Sequence, residues 1–186
     1  MRTTVLVPLV LVSACTATGT GRSSPASPPA PAAPSVASSG PVAPEAFDPA
    51  FAPLRGLLGR WQGSDPDRRS TGEFTLAPDL GGKVLVRRNH NDSPQGRHED
   101  LMIVFATPGG LRASYFDNEG HVIQYTVSAS ADRIELISDE VPGQPRFRLR
   151  YEQHGTNELA IDFSAAMPGA SDFRHYTGGV VQRVGS

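Results

Sequence analysis

The sequence predicts an all-β domain, an antiparallel up-and-down β-barrel of about eight to ten strands preceded by a short helix. Beyond Trp61, short runs of alternating apolar and polar residues recur, and Gly, Pro, Asn or Asp separate them. No helical pattern lies between these runs, so a parallel sheet with crossover helices is not expected. A closed barrel leaves no sheet edge exposed; a β-sandwich is the alternative.

The candidate strands share period-two alternation and flanking turn residues. They are Arg60–Gly63, Ser70–Leu76, Lys83–His90, His98–Ala106, Leu111–Phe116, His121–Ser128, Arg133–Asp139, Arg146–Gln153, Leu159–Ala165 and His175–Val184. Their connections are short and sequential, which favours a barrel over a sandwich.

A short helix is predicted at the start of this domain. Asp48 is a suitable N-cap, and Pro49 suits the first helical position. Apolar residues then follow at helical spacing, and Gly59 ends the pattern after about two turns.

The N-terminus has the features of an export signal. Arg2 supplies a positive charge, the apolar run from Val5 to Val12 follows, and Ser13-Ala14 are small. The run is too short for a transmembrane helix, which needs about 20 residues. We therefore expect residues 1–14 to be a signal peptide.

Cys15 follows directly and is the only cysteine of the chain. Val12-Ser13-Ala14-Cys15 resembles the bacterial lipobox, in which the cysteine receives acyl chains such as palmitate. The resemblance implies a lipoprotein anchored in the bacterial cell envelope, facing the periplasm or on the outer membrane. An ordinary cleaved signal with an incidental cysteine is the alternative.

A linker separates this cysteine from the domain. From Thr16 to Pro44 the chain is Ala, Ser, Thr, Gly and Pro, apart from Arg22, Val36 and Val42. Such a segment buries too little apolar surface to offset its ordering entropy. We expect a disordered tether over 15–46 and one folded domain over 47–186.

Charge and cysteine content exclude several functions. The net charge is −2 with a pI near 6.2, so a nucleic-acid partner is not expected. A single cysteine outside the domain excludes an internal disulfide framework and a cysteine-based zinc site.

The entry into the first strand resembles the calycin superfamily, which includes lipocalins and fatty-acid-binding proteins. Gly59-Arg60-Trp61 matches its Gly-x-Trp opening, and Arg183 lies where lipocalins place an arginine across that tryptophan. The resemblance implies a barrel with a central cavity, closed at one end by Trp61 and Arg183. Gly59, Trp61 and Arg183 are therefore expected to be structural.

Polar residues cluster on strand faces that also carry aliphatic residues. If these faces point inward, we expect an internal pair between Arg88 and Asp100 and another between Tyr115 and His121. The candidate ligand-binding residues are Arg88, His90, Asp100, Tyr115, His121 and Tyr125. They would orient the polar end of an otherwise apolar ligand.

Other interpretations of the cluster remain open. No cofactor is expected, although His90, His98 and His121 could hold a metal, or one of them a haem by analogy with nitrobindin-like barrels. The polar residues could equally lie in solvent-exposed loops at one end of the barrel. The sequence has no Gly-x-Ser-x-Gly, His-Glu-x-x-His or phosphate loop.

The sequence therefore predicts a membrane-tethered envelope lipoprotein whose barrel binds a small apolar or amphipathic molecule. No catalytic residue is assigned. We expect a binding protein more than an enzyme, but the sequence leaves enzymatic activity open. An enzyme would build an acid–base site from the His, Asp and Tyr residues of the cluster. A structural or protein-interaction component would instead have an interior filled by side chains.

Overall fold

The computed structural model describes residues 47–64 and 69–185. The signal peptide, Cys15 and the linker lie outside these residues. The described part holds no helix long and apolar enough to cross a membrane.

Ten antiparallel strands form a closed barrel, which confirms the predicted fold. The strands are β1 (Gly59–Ser64), β2 (Thr71–Asp79), β3 (Val84–Ser93), β4 (Gly96–Thr107), β5 (Gly110–Asp117), β6 (Val122–Ala129), β7 (Arg133–Ser138), β8 (Arg146–His154), β9 (Glu158–Ala166) and β10 (Arg174–Arg183). Each strand pairs with the next along the chain, and β1 pairs with β10 to close the barrel.

The predicted helix is a 3-10 helix, Pro49–Leu57, which covers one end of the barrel. Pro53 lacks the N–H that a regular α-helix would use at this position, which disfavours α-helical bonding. The Asp48 carboxylate caps the first turn by accepting from the Ala50 N–H at 3.0 Å. Phe51 and Leu54 are buried and plug this closed end. A second, three-residue 3-10 helix, Leu80–Gly82, connects β2 to β3.

The inward faces of β4, β5 and β6 are those the sequence predicts. Met102, Val104, Ala113, Tyr125 and Val127 are buried on them. These residues fill the half of the barrel nearest the 3-10 helix.

The inward face of β3 is the opposite of the predicted one. Leu85 and Arg87 are buried, whereas Arg88 is exposed. The pairing of Arg87 with Met102 fixes this register. Sequence alternation could not determine the face, because Val84, Leu85 and Val86 make both sides of the strand apolar.

Candidate functional site

At the closed end, Arg183 ties the last strand to the first. Its guanidinium lies 4.1 Å from the centre of the Trp61 ring. It donates hydrogen bonds to the carbonyls of Gly56 at 2.8 Å, Thr156 at 3.0 Å and Leu58. Gly59 has a φ of 117°, and a side chain there would meet the guanidinium at 2.7 Å. The described geometry is therefore the closure that the calycin resemblance implies.

An apolar cavity of about 20 Å³ lies inside the barrel, between the 3-10 helix and mid-barrel. This is room for roughly one water molecule. Most of its lining is aliphatic, such as Leu57, Val104 and Leu136, and its two polar neighbours are Arg87 and Tyr151. The interior is thus mostly filled by side chains.

Arg87 carries a buried positive charge at the boundary between the apolar and polar halves of the barrel. Its Nη1 donates to Asp100 Oδ1 at 2.7 Å, and its guanidinium lies 5.2 Å from the centre of the Phe74 ring. Its Nε has no hydrogen-bond partner, and neither does the buried hydroxyl of Tyr151. An unpaired buried polar group costs about 1–3 kcal/mol, so each of these two groups would gain from a hydrogen-bond partner.

Asp100 balances the charge of Arg87. Its side chain is 4% exposed, and its second oxygen accepts from the Asn89 amide at 2.8 Å. His98 Nε2 lies 3.6 Å from the same oxygen. Asp100 therefore pairs with Arg87 and not with Arg88, the partner that the sequence predicts.

From Asp100 a polar network leads to the open end, where β4 begins and β5 ends. His98 Nε2 is 3.1 Å from the Tyr115 hydroxyl, which donates to Asp117 Oδ2 at 3.2 Å. His121 Nδ1 lies 2.8 Å from the same Asp117 oxygen. Asp117 thus joins Tyr115 to His121, the two residues that the sequence predicts as a pair.

The environment of this network shifts several pKa values. Burial raises the pKa of Tyr115 and of Tyr125, so both hydroxyls remain donors at neutral pH. Burial also opposes ionisation of Asp117, but hydrogen bonds from the backbone and ring of His121 outweigh it and lower the Asp117 pKa. The hydrogen bond to Asp117 raises the His121 pKa.

Across the open end from this polar network, strands β8, β9 and β10 carry aromatic side chains. Phe147 and Phe163 stack with centroids 5.7 Å apart, and Tyr176 meets Phe163 edge-on at 6.0 Å. Tyr176 is 75% exposed. Gly179 pairs with Ile161, and a Cβ there would have no neighbour within 4 Å. The mouth therefore offers apolar surface and space beside the polar network.

The six residues predicted to bind the ligand do not all lie on the same side of the barrel wall. Asp100, Tyr115 and Tyr125 face the interior, and His121 lies exposed at the mouth. Arg88 and His90 are on the outer wall and do not line the interior, because β3 presents its other face inward. In the strand register, His90 lies opposite Glu99 of β4 on that outer wall.

Sequence reasoning missed Arg87 and Tyr151 as candidate site residues. Both lie on inward faces beside the cavity. Only the pairing with Met102 identifies the inward face of Arg87. Alternation with the arginines of β8 already places Tyr151 on the core face of that strand, but nothing in the sequence brings it to the cavity.

The alternative of a metal held by several histidines does not fit the described residues. Over 47–64 and 69–185, no three His, Cys, Asp or Glu side chains group in a way that could hold a metal ion. The cavity of about 20 Å³ beside Arg87 and Tyr151 could not itself hold a porphyrin. Both ring nitrogens of His98 have neighbours, Tyr115 at 3.1 Å and Glu119 at 3.4 Å.

Comparison with known proteins supports the fold. No family model matches the chain, and no curated protein matches it significantly. Among solved structures, the chain is similar to Rv2717c from M. tuberculosis, with a TM-score of 0.52 and 19% identity. The match covers 74% of this chain and 99% of that one. The chain is thus a ten-stranded antiparallel barrel with a structural relative in M. tuberculosis.

Proposed function

We propose that the barrel binds a small amphipathic acid through its open end. The carboxylate would accept from Arg87 Nε and the Tyr151 hydroxyl, and the tail would lie among the aromatic residues of the mouth. The observation that supports this most directly is the pair of unpartnered buried donors beside one cavity. A carboxylate has two oxygens that accept hydrogen bonds, and charge-assisted hydrogen bonds are the stronger kind.

The size of the cavity limits how the ligand can bind. About 20 Å³ lies far below the 300–1,000 Å³ of ordinary ligand sites. Only a head group could therefore reach Arg87, and side chains around the cavity must move to admit it. The tail must lie in the mouth, where Phe147, Phe163 and Ile123 are only partly buried.

The substitution Tyr151→Phe tests this site. It removes a hydroxyl without a partner, so the free protein should keep or slightly gain stability. Decanoate affinity, measured by titration calorimetry, should fall about tenfold to a hundredfold, as loss of one hydrogen bond to a charged group predicts. Decanol should bind more weakly than decanoate and should not respond to the substitution.

Arg88→Gln is the matched control. Arg88 adjoins Arg87 in sequence but lies on the outer wall, so decanoate affinity should be unchanged. Equal affinity for decanoate and decanol, or an unaltered decanoate affinity in Tyr151→Phe, contradicts the proposed site.

A structural or protein-interaction role is the second candidate. The observation that favours it is the nearly filled interior, since such a role requires no cavity. It predicts that neither decanoate nor decanol binds.

We also propose that the protein is a lipoprotein of the bacterial cell envelope, tethered through Cys15. The sequence supports this through the short apolar N-terminal run, the position of the single cysteine and the low-complexity segment that follows.

A further inference from the structure

Strand β10 has two consecutive glycines in its interior, Gly178 and Gly179. Glycine weakens a strand, and within one it often marks a bulge or a position that a backbone or a ligand approaches closely. A side chain at Gly178 would strike the backbone of Ile161, so the fold itself explains that glycine. A Cβ at Gly179 would have no neighbour within 4 Å. Gly179 therefore needs a different explanation.

The backbone at Gly179 does not require glycine. Among the described glycines whose Cβ position is empty, Gly179 alone lacks a positive φ. The register shift in the pairing of β10 with β9 falls between His175 and Thr177, so no bulge lies at Gly179 either. Of the usual reasons for a glycine within a strand, the close approach of a ligand remains.

Gly179 faces the interior of the barrel. It pairs with Ile161, and Thr177 pairs with Phe163. Both β9 partners pack against the core, and directly opposed residues of two strands point to the same face. Gly179 and Thr177 are nevertheless exposed. The inner side of β10 is therefore open at both positions.

Two other strand glycines provide a comparison. Gly63 of β1 and Gly72 of β2 lie opposite each other, on the faces of these strands that carry the core residues. A side chain at Gly63 would meet Val181, and one at Gly72 would meet the side chain of Asn91. Neighbouring parts of the chain thus require both of these glycines. At Gly179, by contrast, no described residue fills the space that the missing side chain leaves.

The space at Gly179 lies level with an unpartnered donor. Tyr151, Ile161 and Gly179 form one row across β8, β9 and β10. Neighbouring strands lie about 4.8 Å apart, so Tyr151 and Gly179 are roughly 10 Å apart along the wall. The Tyr151 hydroxyl is buried and has no hydrogen-bond partner. Toward the open end, the next inward residue of β9 is Phe163, which stacks on Phe147. The space therefore adjoins both the proposed carboxylate site and the aromatic side of the mouth.

We propose that Gly179 admits the hydrocarbon tail of the amphipathic acid, and that the tail runs along the inner side of β10 from the level of Tyr151 to the open end. This inference rests on the proposed function and adds a specificity-determining residue to it. The open strip spans the inward positions Thr177 and Gly179, which lie about 7 Å apart. A strip of this form suits an extended aliphatic chain.

Gly179→Leu tests the inference. The new side chain occupies the space of the tail, so decanoate affinity in titration calorimetry should fall at least about tenfold. The free protein should keep its free energy of unfolding in urea, because the Cβ meets no neighbour within 4 Å and a glycine is removed from a strand interior. Gly179→Ala adds a single methyl group and should cause a smaller loss of affinity.

Val180→Leu is the matched control. Val180 adjoins Gly179 but points outward and is 51% exposed, so this variant should bind decanoate like the parent. Decanoate binding that responds to Tyr151→Phe but not to Gly179→Leu overturns this inference and leaves the proposed function standing. Loss of unfolding free energy in both Gly179 variants also overturns it, because the protein itself would then fill the space. A parent chain that does not bind decanoate overturns both.

Discussion

Arg87 and Asp100 form a buried ion pair that fixes the orientation of both side chains more than it stabilises the fold. Removing two charges from water costs several kcal/mol per ion, and the pair recovers this only where the remaining polar atoms are satisfied. Asp100 is satisfied by Arg87 and Asn89, whereas Arg87 Nε is not. The arrangement therefore holds a cation in a fixed orientation with one donor free, as recognition of an anion requires.

The pair of His121 and Asp117 makes stability depend on pH. The raised His121 pKa adds stability that is complete below the unfolded value near 6.5 and disappears as pH rises through the folded value. The lowered Asp117 pKa adds stability that is complete above about 3.9 and disappears as pH falls through the folded value. The pair should therefore stabilise most between about pH 4 and 6.5.

His121→Ala tests this dependence. Its loss of unfolding free energy, measured in urea, should be larger at about pH 5.5 than at pH 8.5. The effect should be below about 1 kcal/mol, because the His121 side chain is 61% exposed and solvent screens the pair. His154→Ala, at the exposed last residue of β8, should show no such difference. An equal loss at both pH values would mean that His121 acts through packing alone.

At the scale of elements, the 3-10 helix and β10 are joined by one side chain. Arg183 stacks on Trp61 and donates to three carbonyls, of which two belong to the helix and its end. A barrel closed by only two paired positions between β1 and β10 depends on this contact.

Arg183→Ala should lower the free energy of unfolding by about 2–4 kcal/mol, since it removes a cation–π contact and three hydrogen bonds. Arg183→Lys should recover little, because an ammonium cannot stack and reach three carbonyls in this geometry. Urea denaturation measures both. Arg174→Ala, exposed at the other end of β10, is the control. A melting temperature unchanged in Arg183→Ala would refute this account of barrel closure.

The elements could be predicted from the sequence because local signals define them. Turn residues such as Pro108-Gly109-Gly110 mark where strands end, and the structure places β5 at Gly110–Asp117. Which face of a strand points inward is harder to predict from the sequence. Arg87 and Arg88 are adjacent and lie on opposite faces of β3, and both faces also carry apolar residues. Only the pairing with the neighbouring strand therefore decides which arginine is buried. Alternation places Tyr151 on the core face of its strand, but only the folded barrel brings it and Arg87 to the lining of one cavity.

On the scale of the whole molecule, the proposed function gives the folded domain and the N-terminal segment different tasks. The segment over 15–46 has the composition of a flexible chain, whose end-to-end distance at this length is roughly 30 Å. An anchor at Cys15 would keep the barrel within tens of ångströms of a bilayer. An amphipathic acid partitions into bilayers, so such a tether would raise its local concentration around the barrel.

The tether predicts a specific covalent state of the N-terminus. The full chain, expressed in a bacterial host and extracted from membranes with detergent, should begin at Cys15 and carry added acyl mass in intact-mass spectrometry. More than one acyl chain is expected, because a single chain binds membranes only reversibly. Cys15→Ser should abolish the added mass, whereas Thr16→Ser, which keeps the cysteine, should retain it. An unmodified thiol at residue 15, or a mature N-terminus elsewhere, would contradict the proposed lipid anchor.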